Sequence, residues 1–170
     1  MKWIAISGSW RQTNKKVRED VRREVKEILQ KGDGFISGGA LGVDYIATDE
    51  ALKLDPKAER IRIFLPTDLK TYLNHYYRRA REGVITRDQA RILKSQLEKL
   101  VETNKDSVIE NPNCKKVNKK TYYERISRII KMADELKTFQ VNDSEGTQYG
   151  IDKAKQKGIP IEIFIYTIRN

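Results

Sequence analysis

Phe35-Ile36-Ser37-Gly38-Gly39-Ala40-Leu41-Gly42-Val43-Asp44 carries the pattern of a strand that turns through glycines into a helix. A very short apolar run meets a glycine-rich turn, and an amphipathic segment follows at once. Ile46, Ala47, Ala51 and Leu54 fall at the spacing of one helix face over Val43–Leu54, and Pro56 lies just beyond it. The same strand, glycine, helix order stands earlier in the chain. Lys2–Ser7 is apolar and ends at Gly8-Ser9. Asn14 can cap a helix to about Gln30, with Val17, Val21, Val25, Ile28 and Leu29 on one face. Lys31-Gly32-Asp33-Gly34 stops that helix, and Ile61–Leu65, closed by Pro66, is the next strand. Strands and helices in β-α-β-α-β order imply right-handed crossovers and a parallel sheet. The expected fold is α/β: a single Rossmann-like three-layer domain spanning residues 1–170.

The middle of the chain reads differently. Thr71–Glu102 is helical by pattern and heavily charged; Gly83 divides it and Thr86 can cap its second part. Val108–Lys120 has no periodicity and reads as a loop. Residues 68–120 are therefore expected to be a helical insertion. A helix over Tyr122–Asp134 follows, then a strand at Leu136–Val141 ended by Asn142-Asp143-Ser144-Glu145-Gly146. A helix from Thr147 to Lys157 with Gly158 at its C-terminus and a last strand at Ile159–Thr167 complete a five-stranded expectation.

The chain carries 34 basic against 24 acidic residues, a net charge of +10. Such an excess concentrates anionic partners, although a lysine-rich surface that keeps a protein soluble has the same composition. The single cysteine, Cys114, cannot form an internal disulfide, and MKWIAISGSW does not read as a signal sequence. No stretch approaches the ~20 apolar residues of a spanning helix. A cytoplasmic protein without a membrane partner is expected.

Three glycine-bearing loops follow strand ends: Gly8-Ser9, Gly38–Gly42, and Ser144–Thr147. In a parallel sheet these loops share the carboxyl edge, where open α/β folds bind ligands. Glycine admits close backbone approach, and each following helix offers unpaired amides to an anion. Ser9, Ser37, Ser144 and Thr147 add hydroxyls. No loop has a Walker A lysine, and no G-x-G-x-x-G is present. Asp44, Glu50, Glu124, Asp143 and Glu145 include no diagnostic acid/base spacing, so no catalytic residue is assigned. His75 is the only histidine, which argues against a zinc site, and no cofactor is expected. Tyr72, His75, Tyr76, Tyr77, Arg78, Arg79 and Arg81 form a basic aromatic cluster suited either to bases and phosphates or to packing. Tyr122 and Tyr123 can likewise cover the cleft.

SGGALGVDYIATDEAL (residues 37–52) resembles the S-G-G-A-x-G-x-D-x-x-A segment of the SLOG superfamily, which includes the DNA-processing protein A family, the LONELY GUY phosphoribohydrolases and small YspA-like proteins. ISGSW at Ile6–Trp10 is similar to its first-strand G-S-R segment, with Trp10 in place of the arginine and Arg11 one residue later. ADELKTFQVNDSEGTQYGIDKAKQKGIPI resembles its closing unit. The resemblance implies that Gly8, Ser9, Gly38, Gly39, Gly42, Ser144, Gly146 and Thr147 line a phosphate and ribose pocket, with Asp44 at the acidic position opening the second helix. It also implies a departure from LONELY GUY enzymes, since Gly150 stands where their catalytic glutamate would be. The leading expectation is binding or sensing of a nucleotide or nucleotide-derived ligand. The alternatives are N-glycosidic hydrolysis of nucleoside 5′-monophosphates and single-stranded nucleic-acid binding. A homo-oligomer is expected, as a dimer through the inserted helices.

Overall fold

A computed structural model describes residues 1–169. The first apolar run becomes β1 (Trp3–Gly8), and Asn14 caps α1 (Lys15–Gln30), its side chain accepting from the Val17 amide at 2.9 Å. β2 (Gly34–Gly38), α2 (Val43–Leu54) and β3 (Ile61–Phe64) follow in the expected order. Asp68 caps α3 (Leu69–Arg81) and Thr86 caps α4 (Arg87–Thr103) in a reciprocal bond pair with Gln89. After a short 3-10 turn come β4 (Val108–Ile109), α5 (Lys119–Met132), β5 (Glu135–Val141), α6 (Glu145–Lys157) and β6 (Ile161–Tyr166).

All the strands pair parallel, in the order β4-β3-β2-β1-β5-β6. The chain therefore winds outward from β1 to β4, crosses back, and resumes beside β1 with β5. That reversal leaves a crevice beyond the carboxyl ends of β1 and β5, where Gly8 is level with Phe139. Strand residues alternate between two cores, as a period of two requires. Ile4 and Ile6 face a cluster shared with α1 to α4, while Ala5, Ile36 and Leu136 face Ile129, Ile130 and Ala154 of α5 and α6. This is a three-layer α/β arrangement.

The structure corrects the five-strand expectation. Val108–Ile109 pairs with β3 inside the stretch read as a loop. Two residues are too few to show any periodicity, and their strand character comes from the neighbouring edge. The dimer rationale also changes. Tyr72 and Tyr76 are fully buried and meet edge-on at 5.1 Å, inside the cluster that holds Val21, Ile63, Leu93 and Leu97. They fasten α3 to the sheet instead of presenting rings to a second subunit. Burial of each such ring stabilises the fold by roughly 1.5–3 kcal/mol. Among the described residues, no helix is long and apolar enough to cross a membrane.

Candidate functional site

The crevice beside β1 and β5 opens into a cavity of about 480 Å³, roofed by α5. Its floor is made by the end of β2, the start of α2 and the middle of α5. Gly38 closes β2, Asp44 sits in the first turn of α2, and Arg125 reaches in from the middle of α5. Asp44 and Arg125 are 7% and 8% exposed. Gly38 is required here by close approach. A Cβ at this position would lie 2.7 Å from Asp44 Oδ2 and 2.9 Å from Arg125 Cζ. Gly42 answers a different demand: its φ is +81°, and a Cβ would meet the Ser9 carbonyl and the Arg11 amide at 2.5 Å.

The Ser37 hydroxyl lies 2.8 Å from the Ile6 carbonyl and 3.1 Å from Asp44 Oδ1. It has one proton for two acceptors, so it cannot fully compensate the buried carboxylate. Burial pushes the Asp44 carboxyl up to about 6, against the opposing pull of Arg125 and Ser37. Arg125 donates from Nη1 to the Tyr72 hydroxyl at 3.3 Å and lies 5.1 Å over the Tyr122 ring. Its Nε–H is buried and has no partner among the described residues. Tyr72 continues the chain of bonds to the Tyr76 hydroxyl at 3.3 Å, which also accepts from Trp10 Nε1 at 3.2 Å. The floor is thus tied to the wall through α3.

The walls and rim bring rings and cations together. Trp10, Tyr122 and Tyr123 line the cavity together with Arg79, Lys119 and Arg125. His75 also lines it, its Nε2 3.4 Å from the Tyr122 hydroxyl. Burial, and then the adjacent Arg78 and Arg79, hold the imidazole below its usual range.

Six of the residues expected from sequence meet here: Gly8, Gly38, Asp44, Ser144, Gly146 and Thr147 all line the cavity. The others support it from behind. Ser9 Oγ donates to the Val141 carbonyl and accepts from its amide, pinning β1 to β5. Ser37 acts through Asp44. Gly39 abuts Leu65 and Leu97, and Gly42 seats one loop on another. Arg11 is exposed, bonds to the Val84 carbonyl and stacks on Trp10 at 4.5 Å. At α6, Ser144 Oγ accepts from the Thr147 hydroxyl at 3.1 Å and from its amide at 3.5 Å, so the loop partly satisfies its own donors. Arg125 and Lys119 were not anticipated. The available signal for Arg125 was a lone arginine four residues before Ile129 on the buried stripe of a helix.

No protein-family model and no curated protein matches the chain. Solved structures do. DNA processing protein A from Helicobacter pylori, described for its single-stranded DNA binding mode, matches with a TM-score of 0.68 at 18% identity, over 95% of this chain and 64% of that one. DNA processing protein A from Streptococcus pneumoniae matches at 0.53 and 14%, over 94% and 58%. A structural-genomics target matches at 0.56 and 15%, over 95% and 72%. The chain spans less than two thirds of either DNA processing protein. The Rossmann-like fold implied by the sequence resemblance is therefore the fold observed. The leading functional expectation, binding or sensing of a free nucleotide or nucleotide-derived ligand, is corrected by the same finding: the Helicobacter protein with this fold is described for binding single-stranded DNA.

Proposed function

We propose that the protein binds single-stranded nucleic acid at the β1–β5 crevice, with one unstacked nucleotide seated in the cavity. One observation carries the reading: aromatic and basic residues line the same cavity, and its floor holds a buried arginine whose Nε–H has no partner among the described residues. Aromatic faces accept any base, at about 1–3 kcal/mol per stacked base, while neighbouring cations hold the phosphates. A cavity of about 480 Å³ suits a base that has left its stack, which a single strand offers and a duplex does not. The net charge of +10 favours a polyanion over a neutral ligand. The fold match to the Helicobacter DNA processing protein, with its described single-stranded DNA binding, points the same way.

The test is fluorescence anisotropy with a labelled single strand and its duplex over a range of salt concentrations. Single strands should bind tighter than duplex, with log K falling linearly in log salt at about −0.7 per phosphate neutralised. Arg125→Met should weaken binding about tenfold or more, the scale of a lost charged hydrogen bond. Thermal melts would confirm that this variant folds. Equal affinity for duplex, or binding indifferent to salt, would refute the proposal.

A further inference from the structure

A second hollow, of about 560 Å³, lies on the far side of Tyr123, between α5, α6 and the segment leading into α5. Tyr123 lines both this hollow and the crevice cavity, so its ring is the wall between them. Tyr149 of α6 backs that wall. The two rings stack at 4.2 Å with 15° between their planes, and the Tyr149 hydroxyl is fixed to Ser127 Oγ at 2.9 Å. Each ring also has a cation nearby: Lys119 Nζ is 5.5 Å from the Tyr123 centroid, and Lys153 Nζ is 5.5 Å from that of Tyr149. Both tyrosines are half-buried, so the pair is neither core nor a free surface contact.

The surroundings are basic. Lys116 and Lys120 are exposed and enter no ion pair among the described residues, and Lys120 lines the second hollow. The nearby carboxylates are engaged. Glu145 pairs with Lys119 at 3.2 Å; Glu124, which also lines the hollow, accepts from the Cys114 thiol at 3.3 Å and keeps its charge, set against Lys120 and Arg128 of the same lining. Arg128 is committed to the Leu65 and Glu110 carbonyls, which leaves Lys120 as the hollow's available cation.

We propose that the Tyr123–Tyr149 pair is a second stacking station and the hollow beyond it a second nucleotide subsite. A strand seated in the crevice then continues over the tyrosine wall onto α5 and α6. This inference rests on the single-strand reading of the crevice and extends it. The occupant is the next part of the same strand, because the two hollows share a wall, the patch is basic, and stacked rings offer a base a π-face. A base that stacks on an outer ring face displaces only a lysine tip. The lysine stem is flexible, and its ammonium moves to the adjoining phosphate.

The full chain is titrated with oligothymidylates of increasing length, from the dinucleotide upward. Wild-type affinity should rise in a step once the strand reaches the second hollow. Tyr149→Ala should lose about tenfold of that gain and leave dinucleotide affinity unchanged. Tyr149→Phe, which keeps the stack and loses only the bond to Ser127, should retain the step. As a measurement independent of any variant's folding, a wild-type complex with a halogenated-uracil strand should photocrosslink to the peptides bearing Tyr123 and Tyr149. If the wild type binds long strands without a length step, if Tyr149→Ala folds and keeps the step, or if crosslinks avoid these peptides, the second subsite is wrong and the crevice reading stands. If no single strand binds at any length, both are wrong.

Discussion

Asp44 and Arg125 are two charged groups withdrawn from water at one spot, yet no ion pair among the described residues joins them directly. Withdrawing both costs stability that an imperfect pairing does not return. The pH dependence follows from the Asp44 carboxyl, raised by burial from 3.8 to about 6. The native state holds this proton up to about pH 6, and the unfolded state releases it near 4. Stability from this group is therefore full below pH 4 and is lost as pH rises through 6, by on the order of 3 kcal/mol for two pKa units. Urea unfolding of wild type and Asp44→Asn across this window should show the slope in the first and a flatter curve in the second. Gly38→Ala is a second probe of the same floor. Its Cβ cannot coexist with Asp44 Oδ2 at 2.7 Å, so one charged side chain must move. A destabilisation of about 1–3 kcal/mol is expected, with weakened single-strand binding.

At the scale of elements, polar groups tie the far edge of the sheet to α1. Lys137 of β5 reaches Glu24 of α1 at 2.8 Å and Glu162 of β6 at 2.7 Å, and Tyr166 donates to Asp20 at 2.8 Å. Burial works against the Lys137 ammonium, but its bonds to Glu162 and Glu24 hold its pKa above the usual range. Lys137→Met keeps the side chain's length and leaves Glu24, buried, with Arg23 alone. Unfolding should show a loss of about 2 kcal/mol, the scale of a buried charge-assisted bond. A double-mutant cycle with Glu24→Gln should show coupling between the two sites.

For the whole molecule, the open sheet has two unlike edges. β4 is a two-residue strand, which offers little to a passing chain. β6 is longer and exposes Ile163 and Ile165, the latter at 76%. Tyr72 and Tyr76 of α3 are interior, so their rings are not available to a subunit contact. Ile165→Lys should leave stability within about 0.5 kcal/mol, because the side chain is already in solvent. Sedimentation of the two proteins should then register whether this edge carries a subunit contact: a wild-type oligomer that loses mass in the variant places it there, and unchanged mass shows that the edge carries none.

Most of the architecture was written in local pattern. Asn14, Thr86 and Gly158 marked helix ends, and the glycine turns after β1 and β2 announced a parallel sheet with its crevice, because capping and chain reversal depend on a few neighbouring residues. The same locality placed Gly8, Gly38, Asp44, Ser144, Gly146 and Thr147 at one edge. Other features came from contacts between distant parts of the chain. β4 exists because β3 offers it a partner, Tyr72 and Tyr76 are core because α3 lies over the sheet, and Arg125 enters the pocket because α5 crosses beside β2. Each of these depends on residues far apart in the chain, and burial of a charge or pairing of an edge leaves no trace in the spacing of neighbours.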